Sequence, residues 1–179
     1  SAAGNWYLNL VIMVLIVVGG LGFFVWLDLL DSRFRFKNLK LHSKLVVFMT
    51  ALLLVGGAAG LFLLELPGEA YEGMSLGDRI LASLFQSVTA RTAGFNTVDL
   101  AALREGSIFL MICLMVVGGS TGSTAGGMKT TTAAVLVLSI FSTFRQKKNV
   151  ECFKRRLEDG ITRTASCIFM MYLILIILS

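Results

Sequence analysis

Between Ser107 and Phe144 the chain carries a single charge, Lys129. Drawn as one straight helix rising about 1.5 Å per residue, this run would be nearly twice as long as the ~30 Å of hydrocarbon in a bilayer. It must break or protrude. The weak point is its middle, where Ser120 to Ala125 reads Ser-Thr-Gly-Ser-Thr-Ala, a poor helix and an ample source of carbonyls and hydroxyls. Two other runs, Ser1 to Leu27 and Leu45 to Leu64, have no charge at all, and each supplies the ~20 residues of a spanning helix. A fourth apolar run begins near Thr164 and continues to Ser179. With 56% hydrophobic residues and a mean hydropathy of +0.81, the chain is too apolar for a soluble domain of 179 residues. The expected fold class is an all-α integral membrane protein. No initiator Met, basic leader or small-residue cleavage site opens the chain, so the first span is not read as a signal peptide. A fragment of a longer polypeptide is expected.

The charges orient the spans. Arg33, Arg35, Lys37, Lys40 and Lys44 lie between the first two. Arg145, Lys147, Lys148, Lys154, Arg155, Arg156 and Arg163 follow the third, whereas Glu65, Glu69, Glu72 and Asp78 dominate the remaining connection. The positive-inside rule makes both basic loops cytoplasmic and the acidic connection external. The net charge of +5 is then a topology signal, and no nucleic-acid partner is expected. Cys113, Cys152 and Cys167 have neither metal nor redox spacing. His42, beside Lys40 and Lys44, reads as an interfacial residue.

A polar stretch, Thr89 to Thr97, is wedged among these apolar segments and reads Thr-Ala-Arg-Thr-Ala-Gly-Phe-Asn-Thr. Non-helical backbone at membrane depth survives only where it lines a wet path or is buried in protein, so the stretch is a candidate ion site. It follows a helix-like run, Leu76 to Ala90, that is too short to cross a bilayer. Ser75-x-x-Asp78 resembles a capping box that would start this helix at the outer surface. A short re-entrant helix followed by an extended loop is the construction of K⁺ filters. The chain also echoes itself: Val17-Val18-Gly19-Gly20 recurs as Val116-Val117-Gly118-Gly119, each followed by a basic loop and an apolar span. A repeat of helix, pore helix, filter loop and broken helix is expected.

Thr92-Ala93-Gly94-Phe95-Asn96 resembles the filter strand of the Trk/Ktr/HKT potassium transporter superfamily, and Gly118 to Thr132 resembles the intramembrane gating loop of its third repeat. The likeness is greatest to the Ktr membrane subunits. It implies K⁺ uptake, channel-like or by symport, across a bacterial plasma (inner) membrane, with no enzyme activity and no cofactor beyond the transported K⁺. It divides the chain into 1–40, the last helix of a preceding repeat and a cytoplasmic loop; 41–144, a complete repeat; 145–163, a basic cytoplasmic segment; and 164–179, the first helix of a following repeat. It also implies partners: the remaining repeats of the same polypeptide, a second copy in a homodimer, a cytosolic nucleotide-binding regulatory ring, and the bilayer. One filter of four is present, so the chain does not close a pore alone.

K⁺ sheds its water only where oxygens replace it, and an extended loop with carbonyls turned one way supplies them. Thr92, Ala93, Gly94 and Phe95 are the expected backbone ligands of a filter K⁺, with Gly94 as the pivot. Phe95 is also expected to anchor the loop by packing. Arg91 and Asn96 are support residues. Arg91 reads as a structural pin or as a charge that tunes ion access, with the pin favoured and its partner unnamed. The gating loop comprises Gly118, Gly119, Ser120, Thr121, Gly122, Ser123, Thr124, Ala125, Gly126, Gly127 and Lys129. Lys129 either snorkels or opposes cations while the loop is closed. Two rivals attend this segment. Gly122 to Thr130 nearly spells a nucleotide-binding P-loop, but Met128 stands between the glycine and the lysine. Gly118, Gly122 and Gly126 also fall at the spacing of a helix-packing stripe, as in a membrane anchor or assembly module that transports nothing.

Overall fold

Gly22 ends the first apolar run as a helix. In the computed structural model, which describes residues 6–91, 93–95, 100–146, 151–152, 155–156 and 159–178, helix α1 (Trp6–Leu21) and helix α2 (Phe23–Asp31) are separated by this one residue and meet at 90°. The unbroken first span expected over residues 1–27 is therefore corrected to two helices. The cause is local: Gly22 has φ +78°, a left-handed conformation that carries no Cβ penalty only in glycine. A 3₁₀ turn, Phe36–Asn38, leads from α2 into α3 (Leu41–Glu65). The carboxylate of Asp28, buried on α2, accepts the backbone N–H of Lys40 at 2.9 Å and so closes the basic loop at the start of α3.

Helix α3 is the axis of the molecule. Its 25 residues reach a mean hydropathy of 2.4 over their best window. Among the described residues it alone is long and apolar enough to cross a membrane by itself, and α1 with α2 meets the same test as one bent pair. Shorter apolar helices follow: α5 (Glu105–Val116), α6 (Thr130–Phe144) and most of α7 (Asp159–Leu178). The long run after Ser107 thus consists of α5, a non-helical loop over residues 117–129, and α6. Two apolar clusters flank α3. Leu45 and Met49 pack with Ala134, Val135 and Ala165 toward its N-terminal end, and Leu61 packs with Tyr71, Ala82, Leu103 and Met111 toward its C-terminal end.

Helix α4 (Leu76–Thr89) lies chiefly against α3. Its start is a reciprocal cap: the N–H of Asp78 donates to Ser75 Oγ at 3.2 Å while that hydroxyl donates to Asp78 Oδ2 at 2.7 Å. The Trp6 indole donates to the other carboxylate oxygen at 3.1 Å, joining the first turns of α1 and α4. These bonds, led by that from Ser75, hold the Asp78 carboxyl below the usual carboxylate range. Farther along, α4 buries Ser83, Gln86, Ser87 and Thr89. The Ser87 hydroxyl reaches the carbonyl of Leu54 on α3 at 2.9 Å, and Ser83 meets the Tyr71 hydroxyl at 2.9 Å. Glu65, counted with the acidic connection, is fully buried and accepts the N–H of Arg104 at the start of α5, 2.8 Å away. In the basic segment, strands β1 (Glu151–Cys152) and β2 (Arg155–Arg156) form a two-residue antiparallel ladder, and α7 begins at Asp159, ahead of Thr164. The fold is otherwise helical among the described residues.

Both α4 and α5 crowd α3 at Gly57, where a Cβ would stand 2.5 Å from Ser87 Oγ and 2.8 Å from Leu114 Cδ1; at Gly56 it would meet nothing within 4 Å. Gly57→Val is expected to destabilise the protein by about 1–3 kcal/mol relative to Gly56→Val, the difference being overpacking at matched helix propensity. Thermal unfolding of the purified variants in detergent measures it.

Candidate functional site

The polar stretch after α4 is held by one hydroxyl. Thr89 Oγ1 donates to the carbonyl of Phe95 at 2.6 Å and accepts the N–H of the same residue at 2.9 Å, while the N–H of Ala93 bonds the Thr89 carbonyl at 3.1 Å. The last residue of the helix therefore clamps the loop it feeds. Gly94, inside the clamp, has φ +78°, and a Cβ there would meet nothing within 4 Å in this chain. Backbone conformation, not crowding, calls for glycine. Of the expected carbonyl ligands, Ala93, Gly94 and Phe95 are placed in this loop; Thr92 and the support residue Asn96 lie outside the described residues. Phe95 is 56% exposed in this chain, and the bonds that hold the loop here are made by the Phe95 backbone. The Thr89 hydroxyl was not anticipated as a functional group, although it opens the polar stretch.

The second loop, residues 117–129, is closed at its neck. Val117 pairs with Met128: the N–H of Gly118 donates to the Met128 carbonyl at 2.9 Å, and that of Met128 to the Val116 carbonyl at 3.1 Å. Thr130 adds its N–H to the Gly119 carbonyl at 3.1 Å and its hydroxyl to the Gly118 carbonyl at 2.9 Å. Ser120 to Ser123 forms a turn through a 3.1 Å backbone bond. Because the segment is not helical, Gly118, Gly122 and Gly126 do not form a stripe on one helix face. Lys129 is half-buried, and its ammonium folds back to donate to the Ala125 carbonyl at 3.2 Å. It ties Ala125, and with it the distal part of the loop, to the neck.

The two loops and the helix break meet. Arg91 is buried, and its Nη2 donates to the Gly118 carbonyl at 3.1 Å and to Thr130 Oγ1 at 3.2 Å. Arg91 thus pins one motif to the other, through a carbonyl and a hydroxyl whose involvement sequence spacing does not reveal. On the opposite side, the polar groups freed around Gly22 bond the same loop. The N–H of Ser120 donates to the Gly20 carbonyl at 3.0 Å, its hydroxyl donates to the Leu21 carbonyl, and the N–H of Phe23 donates to the Gly122 carbonyl at 3.1 Å. The Trp26 indole takes the carbonyl of Val18 at 2.9 Å. One Val-Val-Gly-Gly sequence lies at the end of α1 and the other runs from the end of α5 into the 117–129 loop, and both glycine pairs lie at this junction.

A family described as TrkH, cation transport protein, matches residues 2–179. The chain belongs to the TrkH cation transport family. This is a family of membrane transport proteins, not of enzymes. Among its relatives, the potassium/sodium uptake protein NtpJ of Enterococcus hirae is 38% identical over 175 residues, covering 98% of this chain and 39% of its own length. The Ktr system potassium uptake protein B of Bacillus subtilis is 37% identical over 179 residues, covering 99% of this chain and 40% of its own length. The chain therefore spans about two fifths of these relatives. The crystal structure of the potassium transporter TrkH from Vibrio parahaemolyticus matches 98% of this chain and 38% of its own, with a TM-score of 0.76 at 21% identity, a likeness of fold.

In this TrkH-family chain the seating of the 117–129 loop depends on Gly22, where a Cβ would stand 2.6 Å from Ser120 Oγ and 2.8 Å from the Thr121 carbonyl; at Gly20 it would meet nothing within 4 Å. Gly22→Ala is expected to release the loop and speed hydrogen exchange of the Ser120 amide about tenfold or more, as for loss of roughly 1.4 kcal/mol of protection. Gly20→Ala leaves that amide protected. Exchange mass spectrometry on peptides covering residues 118–123 reads both.

Proposed function

We propose that this chain is part of a K⁺ uptake protein in which Thr92, Ala93, Gly94 and Phe95 line a filter by their carbonyls and Gly118 to Lys129 obstructs the path beneath it. The observation that carries this reading is the clamped loop after α4, with Gly94 at φ +78° between a short buried helix and apolar segments. A loop of this kind amid apolar helices is tolerated where it lines a wet path. Helix α4 would re-enter the membrane from outside, directing its partly negative C-terminal end toward a cation in the filter. The Phe95 carbonyl, already accepting the Thr89 hydroxyl, would share its second lone pair with the ion. Helices α5 and α6 would form one broken span, with both basic segments cytoplasmic. The domain division expected from sequence, the homodimer, the cytosolic ring and the bacterial inner membrane complete the proposal. Relatives named for Ktr potassium uptake favour transport over a helix-packing anchor, and the relatives' names include both potassium and potassium/sodium uptake.

Gly94→Ser should lower the K⁺ over Na⁺ uptake ratio of the intact protein in cells lacking other K⁺ importers, because a side chain strains the backbone and intrudes on the axis. Normal expression with unchanged discrimination would reject the filter.

Lys129→Met keeps much of the stem and removes both the charge and the bond to Ala125. A charge-assisted hydrogen bond contributes roughly 1.5–3 kcal/mol, so K⁺ flux into proteoliposomes is expected to rise about tenfold or more, and Lys129→Arg to stay near wild type. If neither variant changes flux, the obstruction is steric and made by Ser120 to Ala125.

A further inference from the structure

We propose that Arg91 is a positioning residue that couples the two loops, so that ion discrimination at Gly94 depends on where the 117–129 loop stands. The inference rests on the filter and gate reading above and adds the link between them. A single guanidinium nitrogen, Nη2, serves two acceptors, and both belong to the neck of the second loop: Gly118 O at 3.1 Å and Thr130 Oγ1 at 3.2 Å. The Thr130 hydroxyl itself donates to Gly118 O at 2.9 Å, so the three groups form a closed triangle. The triangle is buried, with Arg91 7% and Thr130 0% exposed. In such surroundings a charged donor is costly to leave unpaired.

On its other side Arg91 is continuous with the filter. Its N–H bonds the Val88 carbonyl at 3.3 Å, making it part of the last turn after α4. Ala93 and Phe95 are bonded back to Thr89 in the same turn. Only two positions separate Arg91 from Gly94 along the chain. If Gly118 moves as the loop opens, either the buried bonds to Arg91 break or the foot of the filter moves with them. Arginine suits this post because its weakly hydrated guanidinium stays charged when buried, whereas a lysine ammonium is strongly hydrated and gives up its proton more readily there.

Thr130 tests the coupling because it lies outside the filter. In the intact protein, Thr130→Val keeps the shape and removes the hydroxyl, and is expected to lower the K⁺ over Na⁺ uptake ratio by about fivefold or more, the scale of coupling between linked sites. Thr130→Ser retains the hydroxyl and the wild-type ratio. Arg91→Lys approaches the same bond from the filter side and should shift the ratio in the same direction, so either variant decides if the other folds poorly. The double variant should show less than the product of the two single shifts, since both remove one interaction. A merely structural role changes expression or total flux at a constant ratio. If Gly94→Ser shifts the ratio while Thr130→Val and Arg91→Lys change only flux, the coupling is overturned and the filter stands. If Gly94→Ser leaves the ratio unchanged, the filter falls and the coupling with it.

Discussion

A backbone N–H or C=O that leaves a helix in apolar surroundings must find another partner, and in this chain the irregular segments find one another. The break at Gly22 frees the carbonyls of Gly20 and Leu21 and the N–H of Phe23, and Ser120 and Gly122 take all three. The neck of the 117–129 loop exposes the Gly118 carbonyl, and Arg91 and Thr130 take it. The polar stretch after α4 is closed by Thr89. Each irregular segment depends on a hydroxyl or a guanidinium supplied by a neighbouring element. Removing one donor therefore disturbs more than its own turn.

The helices serve this arrangement by holding the segments at one level. Among the described residues helix α3 packs against α1, α2, α4, α5 and α6, and at Gly57 a Cβ would crowd both Ser87 on α4 and Leu114 on α5. Helix α4 buries Leu81, Ala82, Phe85 and Val88 beside the polar Ser83, Gln86, Ser87 and Thr89, and hydrogen bonds at both ends and along its flank add to this packing. A short helix held in this way delivers its C-terminus to a defined place, which suits the proposed filter. The same logic explains why the buried Glu65 carboxylate is spent on the N–H of Arg104: it ties the end of α3 to the start of α5 on the other side of α4.

Much of this was legible in the chain. The composition and the charge-free runs indicated a helical membrane protein, the Ser75-x-x-Asp78 pattern marked the start of α4, and the motif around Gly94 together with the run from Gly118 pointed to the family that the comparisons establish. Local signals of this kind are readable because propensity, capping and hydropathy act over a few residues. The break at Gly22 was missed for the opposite reason. Gly19, Gly20 and Gly22 sit in an uninterrupted apolar run that periodicity and hydropathy treat as one span, and only the polar loop nearly a hundred residues later makes a right-angle bend tolerable.

Sequence by itself determined the apolar helices, the capped start of α4 and the break after α5, because these follow from side-chain chemistry within one turn. Which loop satisfies which was decided only by the tertiary structure. As a structural pin Arg91 required a partner, but a carbonyl has no side-chain signature, so its choice of Gly118 O and Thr130 Oγ1 could emerge only once α4, α5 and α6 were packed around α3. Lys129 likewise takes its partner, the Ala125 carbonyl, from the loop's own curvature. Backbone acceptors are the same at every residue, and geometry alone distinguishes them.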